Sequence, residues 1–322
     1  MNEMPVTQHE RVLILGATGF VGSRLIPELM KKGIKIRLFV RDPSKVREIA
    51  SEVNDLEVMQ GDLLSGRGLE EALKGTHTAY YLVHSMGGKS VFQNKEYADK
   101  DKHAAENFIK AADAAGLARV IYLGALGEKG EGLSEHLRSR AEIADILSSG
   151  KVAATILRAA IIIGAGGASF EMLRYLVERL PAMVCPKWID TNIQPIAIRD
   201  VIAYLVGCLL NPETAGRSFD IGGPDILTYR EMMQQYAEAR GLARRLIFSV
   251  PLLTPLLSAY WVDLVTPISS GIAHPLIEGL KNEVICKESS IEKLIPVNKT
   301  QFKEAVRIAF SEERDGPGIT GF

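Results

Sequence analysis

Arg11-Val12-Leu13-Ile14-Leu15-Gly16-Ala17-Thr18-Gly19-Phe20-Val21-Gly22 is the stretch from which the rest of the chain can be read. A run of mostly branched apolar residues, as in a buried strand, leads into three glycines spaced three apart. After Gly22 the period turns helical, with Leu25, Ile26, Leu29 and Met30 on one face. Strand, glycine turn and helix in succession is the setting in which such a triplet cradles a dinucleotide. Gly16 permits the tight turn, Gly19 lets the backbone approach a pyrophosphate, and Gly22 lets the helix pack closely on the strand. Unpaired N–H groups at the helix start then present partial positive charge to the phosphates. Thr18, Phe20 and Val21 lie within this turn and are read with the glycines as cofactor contacts.

The next elements repeat the rhythm. Lys35–Val40 reads as a second strand, ending at Arg41-Asp42-Pro43-Ser44-Lys45. About 20 residues past the glycines, an acid would take the ribose 2′-hydroxyl and an arginine the 2′-phosphate. Asp42 before Pro43 reads as a helix cap. That leaves Arg41 and Lys45 for a 2′-phosphate, so NADP(H) is preferred and NAD(H) is the alternative. After a third strand at 56–59, Asp62 and Leu63 are placed to meet an adenine, Asp62 otherwise serving as a cap. A fourth strand, Thr78–Val83, runs into His84-Ser85-Met86-Gly87-Gly88. Ligands of such sheets bind outside the carboxyl ends of strands, so Val83, His84 and Ser85 are expected to face the cofactor. His84 is either a catalytic acid or a polar lining.

A helix is expected over Lys100–Ala115, with Ala104, Ala105, Phe108, Ile109 and Ala112 inward. A fifth strand at 120–123 continues into Gly124, a helix spans His136–Leu147, and a long strand spans Val152–Ile163. Pro27 falls inside the first helix, where it removes one hydrogen bond. Thr228-x-x-Glu231 is a capping box. The fold class is α/β, a Rossmann doubly wound parallel sheet with a smaller, mainly helical C-terminal lobe. Residues 1–164, with 194–224, form the nucleotide-binding unit; 165–193 and 225–322 form the lobe.

The chain has 322 residues, 47% of them hydrophobic, and a formal net charge of −1. No global field draws it to nucleic acid. Cys185, Cys208 and Cys286 are isolated, which fits reduced thiols in a cytoplasmic protein. The first ten residues do not read as a signal peptide, and no metal-ligand set is read. Residues 246–280 are rich in apolar side chains, but Pro251, Pro255, Pro267, Pro275 and Asp263 interrupt them. Short buried helices are expected there rather than a membrane span. A peripheral membrane or protein contact, or a homo-oligomer interface, is the alternative use of this stretch.

With these motifs in place, the sequence resembles the short-chain dehydrogenase/reductase superfamily, in its atypical extended, NmrA-like branch. The likeness rests on Gly16-x-x-Gly19-x-x-Gly22, Val40-Arg41-Asp42-Pro43, Gly61-Asp62-Leu63, Ile198-Arg199-Asp200-Val201 and Asp220-Ile221-Gly222-Gly223-Pro224. It implies a Rossmann core with cofactor along the strand ends and backbone contacts near Arg158-Ala159-Ala160. It also implies a Ser or Thr after the fifth strand and a Tyr-x-x-x-Lys pair on the next helix. This chain has Leu123-Gly124-Ala125 at the first place and His136-Leu137-Arg138-Ser139-Arg140 at the second. Tyr97-x-x-Lys100 has the wrong spacing. Either His136 replaces the tyrosine as proton donor, with Arg140 keeping the ribose contact and the charge, or the catalytic pair is lost and the protein is a redox sensor or assembly factor. A third reading leaves both on the surface. The implied activity is hydride transfer to a carbonyl or activated double bond of a small, apolar substrate. An epimerase role is disfavoured because no dense basic cluster lies between Ala165 and Lys187.

Overall fold

The computed structural model describes residues 11–46, 56–84, 94–127, 134–250 and 255–315; the side chains of 94, 95, 135, 136, 255, 257, 259, 261 and 313–315 are not included. Its centre is a parallel sheet of β1 (Arg11–Leu15), β2 (Lys35–Val40), β3 (Leu56–Gln60), β4 (Thr76–Tyr81), β5 (Arg119–Ala125), β6 (Ala153–Ala159) and β7 (Ser218–Ile221). Read across, the order is β3-β2-β1-β4-β5-β6-β7. The helices are α1 (Gly22–Lys31), α2 (Leu69–Leu73), α3 (Asn94–Ala115), α4 (Glu135–Ser148), α5 (Ala168–Arg179), α6 (Ile198–Leu210), α7 (Tyr229–Ala239), α8 (Pro255–Val265), α9 (Ser270–Gly279), α10 (Ser290–Leu294) and α11 (Phe302–Asp315).

Alternation along β1 shows how the sheet is covered. Val12 and Ile14 join a core with Leu25, Ile26 and Leu29 of α1 and Val201, Ile202 and Leu205 of α6. Leu13 and Leu15 join Leu69 of α2, Phe108 of α3 and Ile143 of α4 on the opposite face. Successive strand side chains point to opposite faces, so a strand apolar throughout must be covered twice. A third core draws together α5, α7, α9 and α11, with Phe170, Met232, Ala273 and Val306 at 2% exposure or less.

Two elements differ from the sequence reading. The strand expected over Val152–Ile163 ends at Ala159, whose carbonyl accepts from Leu126 N at 2.8 Å. Ile162–Ile163 then pairs with Ile196–Ala197 as a separate ribbon. Residues 246–280 are not all helical: Leu246–Val250 pairs in parallel with Ala182–Pro186, ahead of α8 and α9. Phe248, Ile247 and Val250 are good strand formers, and a waiting partner strand decides the outcome. No helix among the described residues is long and apolar enough to cross a membrane.

Candidate active site

The chain leaves β1 toward β2 and leaves β4 toward β5, on opposite sides of the sheet. A crevice therefore opens between their carboxyl ends, where doubly wound sheets hold ligands. Gly16 closes β1 with φ at +90°, and a Cβ there would lie 2.6 Å from the carbonyl oxygen of Leu82. A Cβ on Gly22 would lie 2.2 Å from Gly16 O, so α1 starts in backbone contact with the turn. Gly19 N donates to Gly16 O at 3.1 Å, and Gly19 and Thr18 are exposed at the mouth. Val21 caps α1 with no side-chain bond. Phe20 packs beside Gly164 and Gly167, under the guanidinium of Arg24 at 4.6 Å. Ser23 N donates to Gly19 O at 3.0 Å and Arg24 N to Val21 O at 3.2 Å, so the glycine turn closes directly onto the first turn of α1.

Two residues beyond Leu82, His84 reaches across the crevice wall. Its Nδ1 lies 2.9 Å from Asp101 Oδ2 on α3. The two side chains are 14% and 3% exposed. Burial, then the Arg140 charge, lowers the His84 pKa to about 4, against the opposing hydrogen bond of Asp101. The imidazole is therefore neutral near pH 7. Facing a carboxylate, Nδ1 carries the hydrogen and donates it, which makes Nε2 the acceptor. Beneath lie Tyr81, Phe108 and Tyr122, with Tyr81 centred 5.2 Å from Phe108 and 6.1 Å from Tyr122. Burial raises the pKa of both tyrosines, so they stay protonated.

Arg140 projects from α4, half-buried, and its Nε has no hydrogen-bond partner among the described residues. Ser134 caps α4 by accepting from Leu137 N at 3.3 Å. The backbone of His136 is in the first turn of α4, but its side chain is outside the described set, as is Ser85. Val83 is half-buried between Leu82 and His84. Gly124, next to last in β5, lies against Tyr122, where a Cβ would come within 2.9 Å of the ring. Ala159 is 3% exposed, and its carbonyl is already bonded to Leu126.

On the other side of β1, Arg41 and Lys45 are exposed and form no ion pair among the described residues. Asp42 caps the turn as expected, its Oδ1 accepting from Ser44 N at 3.0 Å and Ser44 Oγ at 2.6 Å. Asp62 Oδ1 accepts from Leu64 N at 3.0 Å, and Asp62 N donates to Arg67 O at 3.0 Å. Leu63 is 8% exposed in the core with Phe39, so little of it is left to cover a ring.

The sequence reading missed Asp101. It stands three and four residues before Ala104 and Ala105, on the inward face already assigned to that helix. A carboxylate heading an apolar stripe was the available signal. Arg158 and Asp220 were also missed as a pair. They are register partners in β6 and β7, joined at 2.7 Å, and Asp220 Oδ2 accepts from Lys287 N at 2.9 Å. A cavity of about 1280 Å³ lies elsewhere, between α1 and α6, and none of the predicted site residues line it.

The glycine cradle, the exposed cations after β2 and the unmatched Nε of Arg140 fit a nicotinamide dinucleotide. A family model described as NAD(P)H-binding matches residues 16–165. Ceramide reductase of Caulobacter vibrioides is 30% identical over 239 residues, covering 73% of this chain and 72% of that protein. The mitochondrial NADH dehydrogenase [ubiquinone] 1 alpha subcomplex subunit 9 of Arabidopsis thaliana is 25% identical over 227 residues, covering 69% of this chain. The match spans only 56% of that plant protein's length. The NADPH-dependent quinone oxidoreductase of Escherichia coli is 20% identical with a TM-score of 0.71, covering 93% of this chain and 99% of that one.

Proposed function

The chain belongs to the atypical extended short-chain dehydrogenase/reductases, and from that premise we propose that it is an NADP(H)-dependent reductase of an apolar carbonyl compound. The carrying observation is that Gly16 of the phosphate-binding turn packs on Leu82, two residues from a buried His84–Asp101 pair. Phosphate cradle and proton-handling group thus share one crevice. When bound, the nicotinamide supplies the hydride.

The chain's own residues do the rest. The α1 N-terminus and Gly19 receive the pyrophosphate. Arg41 and Lys45 take the 2′-phosphate, and Arg140 holds anionic or hydroxyl oxygens of the bound dinucleotide near His84. His84 moves the proton. In the alcohol-to-carbonyl direction Nε2 accepts it from the hydroxyl, while Asp101 keeps Nδ1–H in place and stabilises the imidazolium. In the reverse direction the imidazolium returns it to the carbonyl oxygen. Because burial holds the His84 pKa to about 4, reduction quickens as pH falls toward that value. The name of the Caulobacter vibrioides relative supports a long-chain, amphiphilic carbonyl substrate.

Calorimetric titration of wild type and Arg41→Ala with NADPH and NADH tests the reading. The substitution should weaken NADPH about ten- to a hundredfold, the worth of a charge-assisted hydrogen bond of roughly 1.5–3 kcal/mol, and leave NADH unchanged. Equal affinity of the wild type for both overturns the NADP preference, and binding of neither overturns the function. Oxidation of NADPH with a panel of apolar ketones and quinones then separates an enzyme from a binding-only sensor. In the same assay His84→Gln and His136→Gln decide which histidine carries the proton.

A further inference from the structure

Phe20 stands inside the glycine turn, and its carbonyl is left out of the helix that follows. Val21 already has helical dihedrals, φ −81° and ψ −46°. A regular α-helix would then bring Arg24 N onto Phe20 O, four residues back. Arg24 N bonds Val21 O instead, and among the described residues no backbone N–H donates to Phe20 O. Side chains take its place. Arg24 Nη1 donates to Phe20 O at 3.1 Å, and Ser23 Oγ lies 3.4 Å from the same oxygen. Helix side chains lean toward the N-terminus, so an arginine in the first turn is placed to reach back to it.

The same guanidinium joins this turn to two distant parts of the chain. Its Nη2 donates to Ala165 O, between β6 and α5, at 2.7 Å. It also covers the Phe20 ring, which fills the space left by Gly164 and Gly167; a Cβ on either would come within 3.1 or 3.0 Å of that ring. Glu312 Oε2 of α11 lies 3.4 Å from Nη2. An arginine 18% exposed beside a glutamate 39% exposed reads at first as a surface ion pair. Pairs of that kind contribute little. Both carbonyl bonds are shorter than the contact with Glu312, so the carbonyls fix where the guanidinium sits.

The described residues contain no cis peptide bond, and in a planar trans peptide the C=O and N–H point in opposite directions. With Phe20 O drawn to Arg24, the N–H of Val21 faces away from it. That N–H donates to no backbone carbonyl among the described residues. A free N–H at a helix start is what a phosphate oxygen accepts from. We propose that Arg24 is a positioning residue for the cofactor. By holding Phe20 O it keeps the Val21 N–H turned toward the pyrophosphate, and by holding Ala165 O it locks the turn to the segment after β6. Arg24 acts through this peptide and not on the phosphates themselves. The proposal rests on the dinucleotide reading above.

Titration of the full chain and of Arg24→Gln with NADPH, NADH and adenosine 2′-monophosphate tests it, calorimetry serving the dinucleotides and phosphorus NMR the weaker nucleotide. NADPH and NADH share the pyrophosphate, whereas the mononucleotide offers only the 2′-phosphate end to Arg41 and Lys45. Arg24→Gln should weaken NADPH and NADH alike, by about tenfold, the worth of one charge-assisted bond from N–H to phosphate. It should leave adenosine 2′-monophosphate unchanged. Arg24→Lys keeps the charge but not the planar fork that spans two carbonyls, and should show the same split; it carries the test if the thermal melt shows Arg24→Gln to be unfolded. Glu312→Gln should change none of the three affinities. Dinucleotide affinity that survives both Arg24 variants overturns the proposal and leaves the cofactor reading standing. An equal loss of all three ligands overturns it as a general distortion, and a loss in Glu312→Gln matching that in Arg24→Gln overturns it in favour of the ion pair. A wild type that binds neither dinucleotide overturns the cofactor reading and this proposal with it.

Discussion

Two regions of this molecule reverse the ordinary partition of side chains, in opposite senses. At the ends of β1 and β4 a histidine, a carboxylate and part of a guanidinium are withdrawn from water. On the 182–186 ribbon and α8, leucine, phenylalanine and tyrosine are left in it. Folding alone favours neither. Burying a polar group costs roughly 1–3 kcal/mol unless its hydrogen bonds are made, and an apolar side chain left in water forgoes up to about 2 kcal/mol of burial. In the crevice the cost is offset locally, by a 2.9 Å bond between imidazole and carboxylate and by an aromatic floor. On the ribbon nothing in the described protein offsets it. Among the described residues, the first region's cost is offset except at Arg140 Nε, and the second region's is not.

The largest effect expected is at the glycine turn that supports the crevice. A valine at position 22 would put its Cβ 2.2 Å from the carbonyl oxygen of Gly16, a backbone atom held by the turn itself. Helix and strand must separate. Gly22→Val should abolish NADPH binding in a calorimetric titration and lower stability by about 3 kcal/mol in urea unfolding. Full NADPH affinity in that variant would move the phosphate site away from α1 and break the link between turn and dyad.

The next effect reads the buried dyad itself. His84 has a folded pKa of about 4, against an unfolded value of roughly 6.5. Between these values the unfolded chain binds a proton that the native chain does not. Stability conferred on the neutral form is therefore present above about pH 6.5 and lost as pH falls toward 4, by up to about 3 kcal/mol. His84→Gln removes this difference. Urea unfolding of both proteins at neutral pH and near the lower pKa should show a steeper acid loss in the wild type. Parallel losses would mean that the imidazole is already solvated, and the comparison with the ribbon would lose its first half.

How much of this was legible beforehand differs between the regions for a physical reason. The turn, the succession of strands and helices and the Asp42 cap follow from local patterns, because glycine spacing and apolar periodicity act within a few residues. Histidine 84 was placed correctly at the mouth of β4, yet its partner lies 17 residues away on another element. Such a contact depends on how α3 lies on the sheet, which no local period encodes. The end of the long strand at Ala159 has a like origin: Ile162–Ile163 pairs instead with Ile196–Ala197, a partner distant in sequence. Around 246–250 composition misled outright. Apolar and Pro-broken residues suggested buried helix, but a strand waiting at 182–186 turned the first five into a ribbon with one side in water.

The smallest expected effect is on the ribbon's companion, and its smallness carries the meaning. Leu264 is 83% exposed, whereas Leu25 in α1 is fully buried. Leu25→Ala should cost about 2–5 kcal/mol, as a cavity in a packed core does. Leu264→Ser should change stability by no more than about 0.5 kcal/mol in the same unfolding measurement. A leucine that contributes nothing to folding has to contribute elsewhere or be replaceable by serine. A loss above about 1 kcal/mol would show that Leu264 is packed in solution, against a second copy or a part of this chain.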